Sequence, residues 1–284
     1  MKIGFGLPNQ VRNVRPETIP QFASAAEQAG FSTLGTVGRY AYPGVSDTIT
    51  LAAAAGATKT IGLFSHVMLA PVWPGELLAK ELAGIDGVSG HRLTVGIGVG
   101  GRPDDFAVDG FGMSGRGKRM DRDLEVYRSV WKGEPVGGGT NPAVPAGTRE
   151  IPLIFGGGSP AAYARMAREG VGYVGGSMPA SMVAPSFEAA RAAWKEAGRS
   201  GDPRIVGIGY VNLGAEDEGR HNVRDYYSFL GDDVANLMGG AVSATPEAIK
   251  EAVKAYEDLG ADEFILIATT DDTDEVSRLA EIVF

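Results

Sequence analysis

The sequence predicts one α/β domain over residues 1–284, a (β/α)8 barrel of the TIM type with insertions at its C-terminal mouth. Three observations lead to this prediction. Strand-like apolar segments alternate with amphipathic helical segments, eight such pairs can be counted, and the longest connections mostly follow strands. A doubly wound open sheet is the alternative, since a count made on one sequence can be wrong by one or two.

The strand-like segments are short, apolar and bounded by glycine, proline or polar turns. The eight predicted strands are residues 2–8, 32–37, 61–68, 92–99, 151–156, 171–175, 204–213 and 262–269. The eight predicted helices are residues 16–30, 46–58, 74–90, 119–133, 159–170, 186–198, 245–260 and 272–284. Ser159–Pro160 and Thr245–Pro246 are typical of capped helix starts.

The stretch GIGVGG (96–101) matches the dinucleotide-binding pattern G-x-G-x-x-G. That pattern needs a helix that begins within or just after the glycines, and no helical pattern appears here before about residue 119. The match is therefore interpreted as accidental. Alternation instead places Gly96 and Gly98 on one strand face, and likewise Gly207 and Gly209. We expect these glycine faces to point into the barrel. There the glycines either pack against large side chains or leave the mouth open for a broad ligand, and the packing interpretation is favoured.

Three connections that follow strands are unusually long: residues 38–46, 101–119 and 214–244. In a barrel they lie at the C-terminal mouth, where active sites are built. The last contains His221 and several aromatic residues, and it is either a lid over substrate or a helix covering the mouth. Residues 133–150 join a helix to a strand and are predicted to be a surface excursion.

Composition excludes several classes of function. The net charge of −9 argues against nucleic-acid binding and against attraction to anionic membranes. The absence of cysteine excludes disulfides, thiolate metal sites and a cysteine nucleophile. The three histidines lack metal-ligand spacing, and no nucleophile elbow is present, so no metal site and no hydrolase chemistry is expected. Without a signal peptide or a run of roughly 20 apolar residues, a cytoplasmic protein without membrane contact is expected.

Several polar residues are predicted to be structural. Asp86, Ser89, His91 and Arg92 lie before the fourth strand, on the side opposite the mouth, and are expected to form a hydrogen-bond network. Asp104 and Asp105 are expected to cap a turn rather than to hold a ligand. An aldolase or isomerase of the phosphosugar type is disfavoured, because no strand ends in an obvious Schiff-base lysine or paired carboxylates.

Five segments together resemble the bacterial luciferase-like family of flavin and deazaflavin oxidoreductases, over nearly the whole chain. They are KIGFGLP at the start and residues 65–106, 116–131, 152–174 and 243–266. The resemblance implies a barrel that binds reduced FMN or the deazaflavin coenzyme F420 at its mouth, a homodimer, and, with FMN, a separate flavin reductase. FMN is slightly preferred, because no basic track is evident for the acidic tail of F420.

The resemblance also implies site residues. The third strand is expected to end in a bulge with a cis peptide between His66 and Val67. Arg102, with Arg116 or Arg119, corresponds to the arginines that hold the cofactor phosphate. We expect Arg102 to converge on the phosphate with the turn GGGSP, whose amides lie at a helix start. The complete predicted cofactor-binding set is Gly6, Leu7, Pro8, Ser65, His66, Val67, Gly100, Arg102, Arg116, Gly157, Gly158, Ser159, Gly175 and Gly176.

One departure from the family concerns the second strand. Luciferases place histidines after it, whereas this chain has GRYAYPG (38–44), so bioluminescent chemistry is not expected. Arg39, Tyr40 or Tyr42 would then be the polar groups near the reacting ring. The catalytic residue is not identified, and the candidates are Arg39, Tyr40 and His66, of which His66 is expected to bind cofactor rather than to catalyse.

The predicted function is therefore that of a flavin-type oxidoreductase acting on a small organic substrate. With FMN the reaction would be a two-component monooxygenation or a reduction, and with F420 it would be a hydride transfer. A non-catalytic barrel that stores or carries flavin is the alternative. The substrate is not identified, and its specificity is expected to lie in residues 38–46 and 214–244.

Overall fold

The computed structural model describes residues 1–107, 110 and 112–284, so residues 108, 109 and 111 of the predicted connection 101–119 lie outside the described residues. Eight parallel strands pair in chain order and close into a barrel, with β8 beside β1. The strands are β1 (Lys2–Gly6), β2 (Thr33–Thr36), β3 (Gly62–Leu69), β4 (Leu93–Gly98), β5 (Leu153–Gly156), β6 (Gly172–Val174), β7 (Arg204–Val211) and β8 (Glu263–Ala268). The predicted (β/α)8 barrel is confirmed, and the open sheet is wrong.

Helices surround the barrel and cover its mouth. They are α1 (Ile19–Gln28), α2 (Asp47–Ala57), α3 (Gly75–Ser89), α4 (Pro103–Ala107), α5 (Arg116–Trp131), α6 (Pro160–Glu169), α7 (Ala180–Glu196), α8 (Glu216–Tyr227), α9 (Asp232–Gly240), α10 (Pro246–Asp258) and α11 (Glu275–Val283). In the described part of the chain, no helix is both long enough and apolar enough to cross a membrane.

Three helix starts differ from the predictions. The expectation of no helix before about residue 119 is wrong, because α4 begins at Pro103 and α5 at Arg116. Proline is pre-organised for a first helical position, and acidic residues in the first turn favour a helix start. Helix α7 begins at Ala180 rather than at residue 186, because it continues through Pro185. The glycine pattern at 96–101 nevertheless belongs to a barrel strand, not to a dinucleotide-binding unit.

Large side chains fill the barrel interior opposite glycines. A Cβ atom added to Gly4 or Gly35 would lie 3.0 or 2.9 Å from the Ile265 side chain, and one added to Gly6 would lie 2.1 Å from Ile267. The interior cluster also contains Val37, Phe64, Ile154, Val174, Val206, Ile208 and Tyr210. The predicted packing of small against large residues is therefore confirmed.

Strand β7 has the opposite orientation to the one predicted. Its glycines face the helices, since a Cβ atom at Gly207 would lie 2.3 Å from the Tyr256 ring and one at Gly209 would lie 2.8 Å from the Phe264 ring. The alternate residues of this strand, such as Ile208, point inward instead. The bulky aromatic residues outside the barrel thus need glycine on the outer face of β7.

The N-terminal ends of the strands carry the predicted structural network. Arg149 donates two hydrogen bonds of 2.8 and 2.9 Å to buried Asp86, and His91 Nδ1 lies 2.7 Å from the same carboxylate. Arg92 binds backbone carbonyl groups around residues 55–61 and at Ser89. Although burial raises the pKa of Asp86, the hydrogen bonds from Arg149 and His91 outweigh burial and lower it. This end of the barrel carries a hydrogen-bond network, as expected, and Arg149 adds an ion pair that was not expected.

We expect Gly96→Ala to reduce the free energy of unfolding by about 1–3 kcal/mol, as overpacking does in other cores. An added Cβ atom would lie 2.0 Å from the carbonyl oxygen of Ser65 and 2.9 Å from the Phe64 ring. Urea denaturation measures the change. Gly84→Ala is the matched control, because Gly84 is exposed in helix α3 with no atom within 4 Å of the new Cβ. Equal stability of the two variants would contradict the packing described here.

Candidate active site

Among the cavities formed by the described residues, three lie side by side at the C-terminal mouth of the barrel. The Trp73 cavity, of about 300 Å³, is lined by Gly38, Arg39, Tyr40, Tyr42, Gly44, Ser46, Asp47, Met68, Leu69, Val72 and Trp73. The Val67 cavity, of about 180 Å³, is lined by Val37, Gly38, His66, Val67, Leu69, Gly101, Arg102, Ser177, Tyr226 and Tyr227. The Ser159 cavity, of about 350 Å³, is lined by Gly98, Val99, Gly115, Arg116, Gly117, Lys118, Met120, Phe155, Gly156, Ser159, Ala161, Ala162 and Arg165.

The three cavities adjoin one another across the mouth. Gly38 and Leu69 line both the Trp73 cavity and the Val67 cavity. Val67 in turn packs on the floor of the Ser159 cavity, where Cβ atoms added to Gly98 and Gly156 would lie 2.8 and 3.0 Å from its side chain. A ligand of extended shape can therefore contact all three cavities.

The Ser159 cavity has a helix N-terminus at its wall. Ser159 caps α6, with its hydroxyl oxygen accepting the Ala162 amide at 3.2 Å, and Pro160 occupies the first turn, as predicted. Gly157 precedes the cap with a φ of +118°, a conformation that side chains rarely adopt. Pro160 has no amide hydrogen, and the amides of Ala162 and Tyr163 donate to Ser159. The start of α6 therefore offers the cavity the Ala161 amide and the positive end of the helix dipole.

Three basic residues line the same cavity, and one of them, Arg165, is paired with Asp121. Arg116, at the first position of α5, donates from Nε to the Gly100 carbonyl at 3.0 Å. Lys118 is exposed nearby and was missed by sequence reasoning, although its position two residues after Arg116 was available as a clue. Arg119, the alternative to Arg116, binds the carbonyl groups of Ser114 and Gly112. The structure therefore brings Arg116 and Ser159 together, as the sequence predicted.

Arg102 is not part of the Ser159 cavity. Its guanidinium carbon lies 4.4 Å from the Tyr226 ring centroid, 4.3 Å from that of Phe229 and 5.5 Å from that of Tyr227. All three rings belong to the insertion 214–244. The expected convergence of Arg102 with the GGGSP turn is therefore not what the structure shows, and Arg102 instead packs against the insertion by cation–π contacts.

The insertion covers the mouth as helices α8 and α9. Val223, Tyr226 and Met238 join the interior cluster of the barrel. Asp225 accepts hydrogen bonds from Arg12 and from the Tyr42 hydroxyl, which ties α8 to the loops after β1 and β2. The insertion is thus a helical cover on the mouth, one of the two forms expected from the sequence.

The end of β3 has the expected geometry. The pairing of β3 with β4 shifts register between Ser65 and Met68, and the peptide bond between His66 and Val67 is cis. Ser65 donates its hydroxyl to the Gly96 carbonyl at 2.9 Å and is fully buried. Both features agree with the family resemblance.

His66 is a neutral imidazole at the bottom of the Val67 cavity. Its Nε2 lies 2.9 Å from the Gly175 carbonyl oxygen, which can only accept, so Nε2 carries the proton. Nδ1 has no hydrogen-bond partner within the described residues. Burial lowers the pKa of His66 from 6.5 to about 4, against the opposing effect of the Gly175 hydrogen bond. His66 is therefore not a cationic acid near neutral pH.

The loop after β2 is held by a buried ion pair. The Arg39 side chain is only 4% exposed and pairs with Asp104 and Asp105 of α4. Asp105 also accepts the Ala41 amide at 2.8 Å. The two aspartates were expected to cap a turn, and they instead join α4 to the β2 loop. Tyr40, 51% exposed, lines the Trp73 cavity.

The remaining predicted cofactor residues line none of the three cavities. They are Gly6, Leu7, Pro8, Ser65, Gly100, Gly157, Gly158, Gly175 and Gly176. Two of them donate their backbone amides to neighbouring strands: the Leu7 amide donates to the Gly35 carbonyl, and the Gly175 amide donates to the Val206 carbonyl. Their contact with a cofactor stays a prediction.

Asp47 is a site residue that sequence reasoning missed. It occupies the first position of α2 after Ser46, where an acidic residue ordinarily interacts with the helix dipole, so the sequence gave no sign of another role. Its carboxyl group is buried, lines the Trp73 cavity, and leaves Oδ1 without a hydrogen-bond partner in the part of the chain that the structure describes. Burial raises the pKa of Asp47 from 3.8 to about 6, against the influence of the nearby Thr36 and Asn9 side chains.

Two solved structures share this fold at low sequence identity. One is an F420-dependent secondary alcohol dehydrogenase in complex with an F420-acetone adduct, with a TM-score of 0.78, 16% identity, and coverage of 99% of this chain and 98% of the other. The second is the oxygenating constituent of 3,6-diketocamphane monooxygenase from Pseudomonas putida, in complex with FMN. Its TM-score is 0.75, its identity 16%, and its coverage 99% of this chain and 95% of the other.

Comparison of sequences identifies a relative and the family. An uncharacterized protein of Mycobacterium tuberculosis (strain H37Rv) is 31% identical over 186 residues, which cover 55% of this chain. The match spans 65% of that relative, slightly less than two thirds of its length. The family model described as luciferase-like monooxygenase matches residues 1–237, which is most of the chain. The protein therefore belongs to the luciferase-like monooxygenase family.

Proposed function

We propose that the protein is an oxidoreductase that binds a flavin-type cofactor across the barrel mouth, with FMN preferred over F420. The observation that carries the proposal is the Ser159 cavity, where Arg116 and Lys118 meet the N-terminus of α6. A chain with a net charge of −9 repels anions on average, so a local cluster of donors of this kind indicates a site for an anionic group.

The donors fit a phosphate monoester. The free amides of a helix start, a fork-shaped guanidinium and an ammonium group are the usual partners of phosphate oxygens in proteins. Gly98 and Gly156 have no side chains, so the Val67 side chain occupies the space beside them at the floor of the cavity. In the proposal, Arg116, Lys118 and Ser159 hold the phosphate, and the ring lies toward Val67 and His66.

The cofactor, when bound, would supply the hydride or oxygen chemistry, and the protein would bind, orient and shield it. Neutral His66, fixed to Gly175, would present an uncharged surface in the Val67 cavity. Tyr226 and Tyr227 from α8, held by Arg102, would exclude water from that cavity. No proton-transfer role is assigned to Arg39, because its guanidinium is paired with Asp104 and Asp105.

The preference for FMN rests on charges beside the Ser159 cavity. F420 carries an acidic tail that requires a track of unpaired cations. Arg165 pairs with Asp121, and Arg168 pairs with Asp121 and Glu169. These pairs neutralise the nearest arginines, which favours the shorter cofactor. The fold neighbours bind FMN in one case and F420 in the other.

We expect the purified protein to bind FMN in preference to F420, because the phosphate of FMN meets the donors of the Ser159 cavity and no basic track extends beyond them. Visible difference spectra, recorded while each cofactor is titrated in turn, measure both affinities. Tighter binding of F420 would contradict the choice of FMN, and binding of neither would contradict the proposal.

Turnover separates an enzyme from a barrel that only carries flavin. Oxygen consumption with reduced FMN and candidate substrates tests monooxygenation, and anaerobic reoxidation tests reduction. Binding without any turnover would support the carrier function.

A separate flavin reductase and a homodimer belong to the same proposal. Size-exclusion chromatography that shows a monomer would contradict the homodimer.

A further inference from the structure

The Trp73 cavity is large, and most of its wall is apolar or aromatic. Its hydrophobic side is formed by Tyr40, Met68, Leu69, Val72 and Trp73. It adjoins the Val67 cavity, where the proposed cofactor ring lies, through Gly38 and Leu69. A cavity of this kind buries the hydrocarbon part of a small molecule, and a few polar groups then fix its orientation.

Among the described residues, two in the lining of this cavity have a buried polar atom without a hydrogen-bond partner, Arg39 and Asp47. Arg39 Nε has a carboxylate oxygen of Asp105 at 3.7 Å, so Asp47 is the one without an opposite charge. Its Oδ1 atom is enclosed without a hydrogen-bond partner in the described residues. The other oxygen lies against Gly38, where an added Cβ atom would be only 2.1 Å away, so glycine at this position makes room for the carboxyl group. A buried carboxylate without a partner is costly, and native proteins ordinarily satisfy such groups with a hydrogen bond.

No cation within the described residues neutralises Asp47. Arg39 lines the same cavity but is paired with Asp104 and Asp105. The other charged or titratable groups in the cavity lining are the guanidinium of Arg39, already paired, and the phenols of Tyr40 and Tyr42, of which Tyr42 donates to Asp225. The phenol of Tyr226 on α8 is also close enough for Asp47 to help raise its pKa. The polar side chains of Thr36 and Asn9 interact with the carboxyl group and lower its pKa, so the unsatisfied part of Asp47 is its Oδ1 atom.

We propose that the Trp73 cavity is the substrate site and takes an uncharged, mainly apolar alcohol, whose hydroxyl group donates a hydrogen bond to Asp47. This inference rests on the proposed function, since it treats the Val67 cavity as the place of the reacting ring. The apolar wall would bury the hydrocarbon part of the alcohol, and the unsatisfied carboxylate oxygen would accept the hydrogen bond from its hydroxyl group.

Other ligand classes fit less well. An anionic substrate would be repelled by Asp47. An ammonium ion would be repelled by the positive charges of Arg39, which lines the cavity, and of Arg12, since both guanidinium groups lie 5.4 Å from the centroid of the Tyr42 ring in its wall. A ketone lacks the hydrogen that an ionised carboxylate requires. An alcohol supplies that hydrogen without adding charge.

The test uses cofactor-free protein and three matched probes: 4-phenylbutan-2-ol, its ketone and its amine. Ligand-observed saturation-transfer NMR at pH 7.5 gives the three affinities. We expect the alcohol to bind about tenfold more tightly than the ketone, since a hydrogen bond to a charged group has that order of strength. Tighter binding of the amine, equal binding of alcohol and ketone, or binding of no probe would overturn the proposal.

Asp47→Asn is the decisive variant. The amide is uncharged, of similar shape, and both donates and accepts, so we expect the preference for the alcohol to disappear. Asp123→Asn is the matched control, because Asp123 is also a buried carboxyl group with an unpartnered oxygen and a pKa raised by burial. Asp123 belongs to α5, where it pairs with Arg122 and packs against Gly75 of α3, away from the Trp73 cavity. An alcohol preference that survives in Asp47→Asn, with normal thermal unfolding, would also overturn the proposal.

The two proposals fail separately. Because the probes bind without cofactor, an alcohol preference that depends on Asp47 would stand as a binding site even if FMN did not bind, and only the proposed function would then be wrong. If FMN binds and the alcohol preference is absent, the substrate proposal alone is wrong.

Discussion

Replacing Arg116 by alanine is expected to weaken FMN binding by about 1.5–3 kcal/mol, which corresponds to roughly 10- to 150-fold in Kd. Arg116 lines the Ser159 cavity beside the N-terminus of α6 and is one of the two basic side chains that we propose for the phosphate. Riboflavin lacks the phosphate, so its binding should be nearly unchanged. Fluorescence quenching of each flavin during titration measures both constants.

Arg102→Ala is the matched comparison. Sequence reasoning assigned the phosphate to Arg102, whereas the structure places its guanidinium against Tyr226 and Phe229. We therefore expect Arg102→Ala to alter FMN and riboflavin binding to the same extent, because any effect would pass through the insertion. If Arg102→Ala shows the phosphate-specific loss and Arg116→Ala does not, the sequence hypothesis was right and the present assignment is wrong.

The two arginines show what the sequence can and cannot predict. Both come after β4, and barrel topology correctly places them at the mouth. The direction of each side chain depends on α4 and α5, and the start of α4 at Pro103 was not anticipated. The helix α4 begins directly after Arg102, whose guanidinium lies against the insertion, whereas Arg116 lies in the cavity of Ser159. The order of residues along the chain does not predict this difference.

Prediction from local sequence was correct where a residue type is common in only one kind of structural position. Ser159–Pro160 was predicted as a helix start and is one, because a hydroxyl cap and a proline at the first position have few other uses. Gly207 and Gly209 were assigned to the wrong face, because alternation gives two faces without saying which is inside. Tyr256 and Phe264, distant in the chain, decide that question.

Asp47 illustrates the limit for the candidate site. An acidic residue at a helix start is common and ordinarily lies in solvent, where it interacts with the helix dipole. Its burial arises because Gly38, from the preceding strand end, leaves space for the carboxyl group. Two ordinary residues thus form an unusual environment only when the fold brings them together.

The second large effect that we expect concerns His66 and acid. The pKa of His66 is lowered from 6.5 to about 4 by burial, so the folded protein binds fewer protons at this residue than the unfolded chain between these pH values. The stability that His66 contributes is therefore fully present above pH 6.5 and is lost as the pH falls toward 4. A shift of this size corresponds to about 3 kcal/mol.

His66→Gln isolates this contribution. The glutamine amide can still donate to the Gly175 carbonyl, but it does not titrate. We expect the free energy of unfolding of the parent, minus that of the variant, to fall by about 3 kcal/mol between pH 7.5 and pH 4. Carboxylates that also respond to acid, such as Asp86, are present in both proteins and cancel in the difference. Urea unfolding at several pH values gives the two curves.

Proton NMR provides a direct check on the same residue. The chain contains three histidines, and His221 is an exposed residue that serves as an internal reference. The His66 ring protons should keep the chemical shift of a neutral imidazole down to about pH 5, because burial disfavours the charged form. Titration of His66 near pH 6.5 would mean that its ring is hydrated. The Val67 cavity would then not be the dry, uncharged site in which we place the cofactor ring.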